Sequence, residues 1–329
     1  MDKEGVDIAF MAENPYISVV VPLYNEEASS LELYTRVKAQ LRALNKPYEM
    51  IFIDDGSKDK TAMIMADIAR KDALVTLIQL ARNYGQSAAL SAGFDAAKGD
   101  VIISMDGDLQ HDPADLPLFM EKIDEGYDIV SGWRKVRVDN FLIRRLPSRI
   151  ANRILQKVSG VDIHDFGTTY KAYRKEFIKN VELFGDYHRY IPALANDMGA
   201  SIVEIPIKNI NREKGKSHYG IKRFWPVMLD IIMLKFVISY MAKPLRMFGS
   251  MGLALFLSGF SISLSMMILW CFRIINTLRD HSAMLLFSVF LMLVGLQFIV
   301  VGITAEVNSK IYYRISNRTI YRVKRIVRK

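Results

Sequence analysis

Residues 101–113 read VIISMDGDLQHDP, an apolar, β-branched run that ends on Asp106, Asp108 and Asp112 within seven positions. The run has the length and composition of a buried strand. Three carboxylates leaving the end of a strand serve no packing purpose, because clustered like charges repel and their burial costs free energy unless something neutralises them. A divalent cation would supply the missing charge. The D-x-D spacing is short enough to recur by chance, so its surroundings decide what it means.

Working outward, the same arrangement repeats. ISVVVPLY (17–24) ends in Asn25-Glu26-Glu27 and precedes a predicted helix over 28–44 with Leu31, Tyr34, Val37, Leu41 and Leu44 on one face. EMIFIDD (49–55) ends in Gly56-Ser57, and Asp59 is a good N-cap for the helix that follows. TLIQLA (76–81) runs into Arg82-Asn83-Tyr84-Gly85, then a helix over 86–97 that Gly99 is expected to terminate. DVIISMD (100–106) leads to Asp112-Pro113, an N-cap with proline at the first helical position, and YDIVSGW (127–133) is a fifth strand. This order predicts an α/β fold with a doubly wound, mostly parallel sheet. Ligands of such sheets bind outside the carboxyl ends of the strands, so 22–26, 54–57, 82–86 and 106–108 should converge on one crevice.

No G-x-G-x-x-G follows a strand and no G-x-x-x-x-G-K-[ST] occurs, so neither common phosphate turn is present. Phosphates must be held another way, and carboxylate-bound Mg²⁺ or Mn²⁺ bridging a diphosphate suits these hard oxygen ligands. Glu26 and Asp54 remain to accept hydrogen bonds from a base and a ribose. The crevice therefore reads as a nucleoside-diphosphate site.

The 329 residues are 51% hydrophobic, a figure inflated by two stretches free of acidic and basic side chains, 247–272 and 281–305. As helices each would be roughly 38 Å long, enough to cross a ~30 Å hydrocarbon core, and both are predicted to do so. The short segment between them implies a hairpin. In the tail 306–329, eight lysines and arginines oppose Glu306 alone, so +7 of the formal +9 lies there. The positive-inside rule then puts the tail, and the chain before the hairpin, in the cytoplasm, with anionic lipid rather than nucleic acid as the partner of the basic tail. The start, MDKEGVDIAFMAENP, is acidic and lacks the apolar core of a signal peptide. Cys271 is the only cysteine, so no disulfide framework or cysteine-based metal site is expected.

VVVPLYNEE, IFIDDGSKDKT, NYGQSAALSAGFDAAKGD and MDGDLQHDP, in this order, resemble the glycosyltransferase family 2 enzymes with a GT-A fold, specifically the polyprenyl-phosphate sugar transferases. With its two apolar runs the chain is most similar to bactoprenol glucosyltransferases and undecaprenyl-phosphate aminoarabinose transferases; dolichyl-phosphate mannose synthases share the catalytic part. The resemblance implies that Pro22, Tyr24 and Glu26 border the base, with Asp54, Asp55 and Gln86 in the same nucleotide-sugar pocket. Asp106 would contact ribose or metal, and Asp108 would be the main metal ligand, with Gln110 beside it. Gly107 stands where alanine is expected in many relatives, and is read as making the turn more permissive. His111 is expected to be solvent-exposed or at a helix start, a further metal ligand being the alternative. HDFGTTYKAYRK (164–175) resembles the segment whose Asp, here Asp165, faces the reacting centre. NREKGKSHYGIKR (211–223) resembles a basic loop that closes over phosphates, giving Arg212, Ser217, Tyr219 and Lys222; Arg134, Arg137 and Arg144 are candidate acceptor-phosphate contacts, an ordinary surface role being the alternative for each.

The domain reading is a GT-A catalytic domain over 1–221, an amphipathic interfacial helix region over 222–244, two transmembrane helices within 245–305 and a basic tail over 306–329. The expected reaction is inverting, metal-dependent transfer of a sugar from a nucleoside-diphosphate sugar to a polyprenyl phosphate such as undecaprenyl phosphate, at the cytoplasmic face of a bacterial inner membrane. Glucose carried on UDP is the first expectation, with aminoarabinose, mannose, galactose and N-acetylhexosamine behind it. Asp165 is left as general base, orienter or electrostatic partner, and a homo-oligomer is an expectation from relatives. A processive polysaccharide synthase should carry Q-x-x-R-W, and Trp133, Trp225 and Trp270 have no such setting. The rival from another class is a non-catalytic membrane scaffold with a relic transferase domain.

Overall fold

A computed structural model describes residues 15–135, 146–181, 183, 187–208, 210, 224–240, 243–272 and 281–315. They fall into two compact units that divide between Ile231 and Ile232.

The first unit is built on a seven-stranded sheet in the order β3-β2-β1-β4-β6-β5-β7. Its strands are β1 (Ile17–Leu23), β2 (Tyr48–Asp54), β3 (Val75–Gln79), β4 (Val101–Ser104), β5 (Ile129–Trp133), β6 (Lys171–Arg174) and β7 (Ile202–Pro206). All neighbours pair in parallel except β6, which runs antiparallel to β4 and β5. The central strands are apolar at nearly every position because both faces are covered. On one face Val19, Val21 and Leu23 pack with Leu33, Val37 and Leu41 of α1 (Ser30–Ala43), Met65 of α2 (Thr61–Lys71) and Phe119 of α4 (Leu116–Asp124). On the other, Val20, Ile51 and Ile53 pack with Ala89, Leu90 and Phe94 of α3 (Gln86–Ala96). The side-chain period of two along each strand sorts consecutive residues into these two cores.

Two local expectations changed. Asp59 caps the peptide N–H of Thr61 at 3.0 Å, yet helix α2 begins at Thr61 itself. Helix α3 ends at Ala96, and Gly99 serves close approach instead: a Cβ there would lie 2.7 Å from the backbone nitrogen of Ser18. Asp112 behaves as expected, accepting the Ala114 N–H at 3.0 Å with Pro113 next to it.

Strand order turns between β1 and β4. Pairing of β1 with β4 stops at Val20–Ser104, whereas pairing with β2 continues to Leu23–Asp54. Beyond Val20 the two strands part, and Pro22, which has no N–H to give, sits where no β4 partner needs one. That opening is the switch-point crevice of a doubly wound sheet. The rest of the unit supplies α5 (Leu146–Ser159), α6 (Lys175–Ile178) and α7 (Ile191–Asp197), and α8 (Phe224–Tyr240) runs across the division. On α8, Leu229, Ile232 and Met233 are exposed while Ile231 and Leu234 are buried.

The second unit contains α9 (Pro244–Cys271) and α10 (Ser282–Ile315), which pack antiparallel. Glycines make the seam: a Cβ on Gly252 would stand 2.5 Å from the Gly295 carbonyl oxygen, and one on Gly259 2.4 Å from that of Ser288. Small residues one heptad apart let the backbones touch. Both helices are long and apolar enough to cross a membrane. Leu257, Phe260, Leu264, Phe287, Phe290 and Leu293 all face outward. Helix α10 continues past 305 through Glu306 and Lys310, an i,i+4 ion pair at 3.3 Å.

Candidate active site

The loops after β1 and β2 are stapled together by the residues between 25 and 61. Asn25, at φ 55°, gives its N–H to Ser57 Oγ at 2.9 Å and accepts the Lys58 N–H at 2.8 Å. Glu26 N–H donates to Thr61 Oγ1 at 2.8 Å, and the Lys60 N–H donates to Glu27 at 3.0 Å. Much of the YNEE and DDGSKDKT wording thus holds the two loops in register. Gly56 is required by both conformation and space: its φ is +69°, and a Cβ would meet the Arg82 carbonyl carbon at 2.6 Å.

Asp54 and Asp55, neighbours in sequence, have different tasks. Asp54, at the end of β2, accepts the Ser57 N–H at 3.2 Å and borders a cavity of ≈ 720 Å³ that Tyr24, Ser57, Lys58, Arg82 and Asn83 also line. That volume suits a small ligand. Arg82 lies over the Tyr84 ring at 4.3 Å. Asp55 is 4% exposed, and its oxygens accept the N–H groups of Tyr84 and Gly85 at 2.8 and 2.9 Å. It fixes the wall of the cavity.

The turn after β4 carries the acidic motif. Asp106 Oδ1 accepts from Gln86 Nε2 at 2.7 Å, and the same amide reaches Thr169 Oγ1 at 3.2 Å. Asp108 accepts the Gln110 N–H at 3.1 Å, while the Gln110 carbonyl accepts from Ile210 at 3.0 Å. Glu26 reaches the turn through Ser29, whose hydroxyl bonds Glu26 Oε2 at 2.7 Å and the Gly107 carbonyl at 3.0 Å. Gly107 is there for closeness, because a Cβ would stand 2.4 Å from Leu23 Cδ2, and its φ is not in the left-handed region. His111 directly precedes Asp112, the N-cap of the turn Pro113–Asp115, but it is not solvent-exposed. It is 1% exposed, stacked on Tyr170 at 5.2 Å, and positioned with Nδ1 3.3 Å from the Asp106 N–H it accepts. Burial lowers its pKa, so at neutral pH it adds no positive charge beside Asp106, from whose Oδ2 it is 3.7 Å.

These donors fit a divalent ion. Among the described residues no group of three or more His, Cys, Asp or Glu closes a metal site on its own. Mg²⁺-type sites commonly use one or two carboxylates and let substrate phosphates complete the shell. Asp106 and Asp108, on one turn beside a neutral imidazole, match that description.

Across the crevice, Asp165 is 2% exposed and receives both prongs of Arg134, Nε to Oδ2 at 2.8 Å and Nη2 to Oδ1 at 3.1 Å. Glu204 on β7 accepts the N–H groups of His164 and Asp165 at 2.9 Å, and Trp133 stacks on His164 at 4.6 Å. Sequence reasoning placed Asp165 and Arg134 on the acceptor side separately; the fold makes them a pair. It missed Thr169 and Glu204, whose partners are remote in sequence, and Lys171, which is buried by strand neighbours that are remote in sequence. Arg212, Ser217, Tyr219 and Lys222, with Arg137 and Arg144, lie outside the described residues.

The sheet with its switch-point crevice and acidic turn defines a GT-A type fold. Glucosyl-3-phosphoglycerate synthase of Mycobacterium tuberculosis, crystallised with UDP, superposes over 72% of this chain and 84% of its own with a TM-score of 0.51 at 18% identity. The same enzyme crystallised with Mn²⁺, UDP-glucose and phosphoglyceric acid gives 0.52. At the level of sequence, the glycosyl transferase family 2 profile matches residues 18–182, and the chain belongs to that family. It is 37% identical to a dodecaprenyl-phosphate galacturonate synthase of Rhizobium johnstonii, covering 94% of this chain and 92% of the relative. It is 35% identical to an undecaprenyl-phosphate 4-deoxy-4-formamido-L-arabinose transferase of Edwardsiella ictaluri, covering 95% and 94%. The chain is a glycosyltransferase.

Proposed function

We propose that this glycosyltransferase moves a sugar from a nucleoside diphosphate to the phosphate of a polyprenyl phosphate at a membrane surface, inverting the anomeric carbon. The observation that carries the reading is the Gln86 amide that joins the acidic turn to the loop of Asp165, reaching Asp106 Oδ1 at 2.7 Å and Thr169 Oγ1 at 3.2 Å, while Arg134 holds Asp165 at 2.8 Å. The names of the relatives supply the acceptor class, and the two apolar helices suit a substrate anchored by its lipid tail. Those names carry galacturonate and formamido-arabinose, so a uronic acid or an amino pentose stands ahead of glucose as the sugar.

A phosphate monoester has a second pKa near 6 and is largely anionic at neutral pH, so the nucleophile needs little help from a base. Its oxygen bonds C1 as the C1–O bond to the diphosphate breaks, and the electron pair leaves on the nucleoside diphosphate. Asp165 has both oxygens on Arg134, which favours an orienting and electrostatic role over proton removal. A divalent ion held by Asp106 and Asp108 would neutralise the leaving diphosphate. Asp54 and Tyr24 border the nucleoside, and Arg212, Ser217, Tyr219 and Lys222 are assigned to the phosphates by their motif. The exposed apolar residues of α8 suit a helix lying in the lipid interface.

The test uses purified full-length protein in detergent with undecaprenyl phosphate and UDP-linked galacturonate, formamido-arabinose and glucose, each with Mg²⁺, Mn²⁺ or EDTA. Mass spectrometry should show one glycosylated lipid phosphate that disappears with EDTA and falls at least about 10²-fold in Asp108→Ala. Lipid product formed equally well in EDTA, or by Asp108→Ala, would remove the metal assignment; no product from any donor would remove the acceptor assignment.

A further inference from the structure

Lys171 has no solvent exposure. It opens β6, the antiparallel strand, where its backbone lies between Ser104 of β4 and Ser131 of β5. Buried lysines are rare because their charge loses its hydration, and an apolar side chain of similar volume would fill the space at lower cost. An apolar chain cannot donate hydrogen bonds. The Lys171 Nζ donates to the carbonyl of Phe166 at 3.2 Å and to that of Thr168. These two carbonyls flank Gly167 in the loop that begins at Asp165 and ends at Thr169. From Asp165 the loop reaches Arg134. At its other end Thr169 takes Gln86, which also holds Asp106, and the Thr169 carbonyl accepts the Ser104 hydroxyl at 2.5 Å.

We propose that Lys171 is a positioning residue for sugar transfer: through the Phe166 and Thr168 carbonyls its ammonium group fixes the 165–169 loop, and so sets Asp165 and the Thr169–Gln86–Asp106 chain in one register. A single buried cation thereby ties the acceptor side of the crevice to the donor side. The proposal rests on the transferase reading above. Among the described residues, the amine is faced by Asp165 from the loop, Arg134 from the end of β5, Asp106 from the end of β4 and Arg189 from the turn Tyr187–Arg189, with the titratable His111 also near it. Burial is the strongest influence and pushes the Lys171 pKa down to about 7, the two aspartates opposing it and the two arginines reinforcing it. The clamp therefore loosens as pH rises through neutrality.

The experiment compares wild type, Lys171→Met and Lys171→Arg as full-length protein in detergent, reading turnover and donor KM against pH, and hydrogen exchange of the amides of residues 165–170. Lys171→Met should lose about 10²-fold in kcat, as expected when reacting groups are displaced by about an ångström, with donor KM within about threefold of wild type. Its 165–170 amides should exchange faster. Lys171→Arg should recover most of the turnover and shift the alkaline fall, near pH 7 in the wild type, to higher pH, because a guanidinium keeps its proton. Ionisation of the acceptor phosphate is common to all three proteins and cancels. Wild-type kcat in Lys171→Met, or superimposable pH profiles of wild type and Lys171→Arg, would overturn the proposal. If Lys171→Met does not fold, the arginine profile decides alone. If the wild type transfers no sugar, the transferase reading fails, and Lys171→Arg exchange at 165–170 matching wild type above pH 7 would overturn the clamp separately.

Discussion

Asp165 and Arg134 hold each other through two charge-assisted hydrogen bonds, one partner buried and the other half-buried. Groups that act as a unit lose function as a unit, so Arg134→Ala and Asp165→Asn should each lower kcat/KM by about the same factor as the double variant. Steady-state kinetics of the three variants check this; losses that multiply would show two independent roles. Asp165 was readable as an acceptor-side candidate from the HDFG segment that contains it, and Arg134 as a candidate beside an ordinary surface role. Their pairing was not, because it joins loops 31 residues apart. Lys171 was less legible still. In TTYKAYRK a lysine between tyrosine and alanine reads as one more surface charge, and only the antiparallel insertion of β6 between β4 and β5 buries it. Asp106 and Asp108 were legible from the sequence because a strand end makes their exposure a matter of local pattern.

Among the elements, α1 is tied to the turn before β3 by a three-residue clip. Tyr34 OH and Lys38 Nζ both reach Asp72 Oδ2, at 2.7 and 2.5 Å. Burial raises the Asp72 pKa, but the bonds from Lys38, Tyr34 and the Leu74 N–H outweigh it and leave the group below its ordinary 3.8. A carboxylate with a depressed folded-state pKa contributes stability that is present above 3.8 and is lost as pH falls through the lower folded value. Asp72→Asn should therefore cost about 1–2 kcal/mol at pH 7, the scale of one charged hydrogen bond at a partly screened site. Thermal unfolding of both proteins at neutral and strongly acid pH checks the sign: the gap present at neutrality should close in acid. The first five strands of the sheet were readable as apolar runs with helical patterns between them. Strands β6 and β7 were not, since charged residues break their apolar runs, Lys171 and Arg174 in one and Glu204 in the other.

At the scale of the whole molecule, the outward faces of α9 and α10 decide the environment. Side chains such as Phe260, Phe287, Phe290 and Leu293 are half-exposed or more, and a contiguous apolar surface of that kind marks a membrane or partner contact. Two spans would return the chain to the side from which it entered, and by the positive-inside rule the excess of lysine and arginine after residue 306 predicts that this side is the cytoplasm. The single cysteine turns this orientation into a measurement. Cys271 is the last residue of α9 and is exposed, so after one crossing it belongs at the far interface. In intact cells a membrane-impermeant maleimide should label Cys271, and label Asn276→Cys in the connecting segment more strongly. With Cys271 replaced by serine, a cysteine introduced at Ser316 should react only after the membrane is opened. Labelling of the Ser316 position in intact cells, with protection of 271 and 276, would reverse the orientation and leave the crevice on the wrong side for cytoplasmic nucleotide sugars.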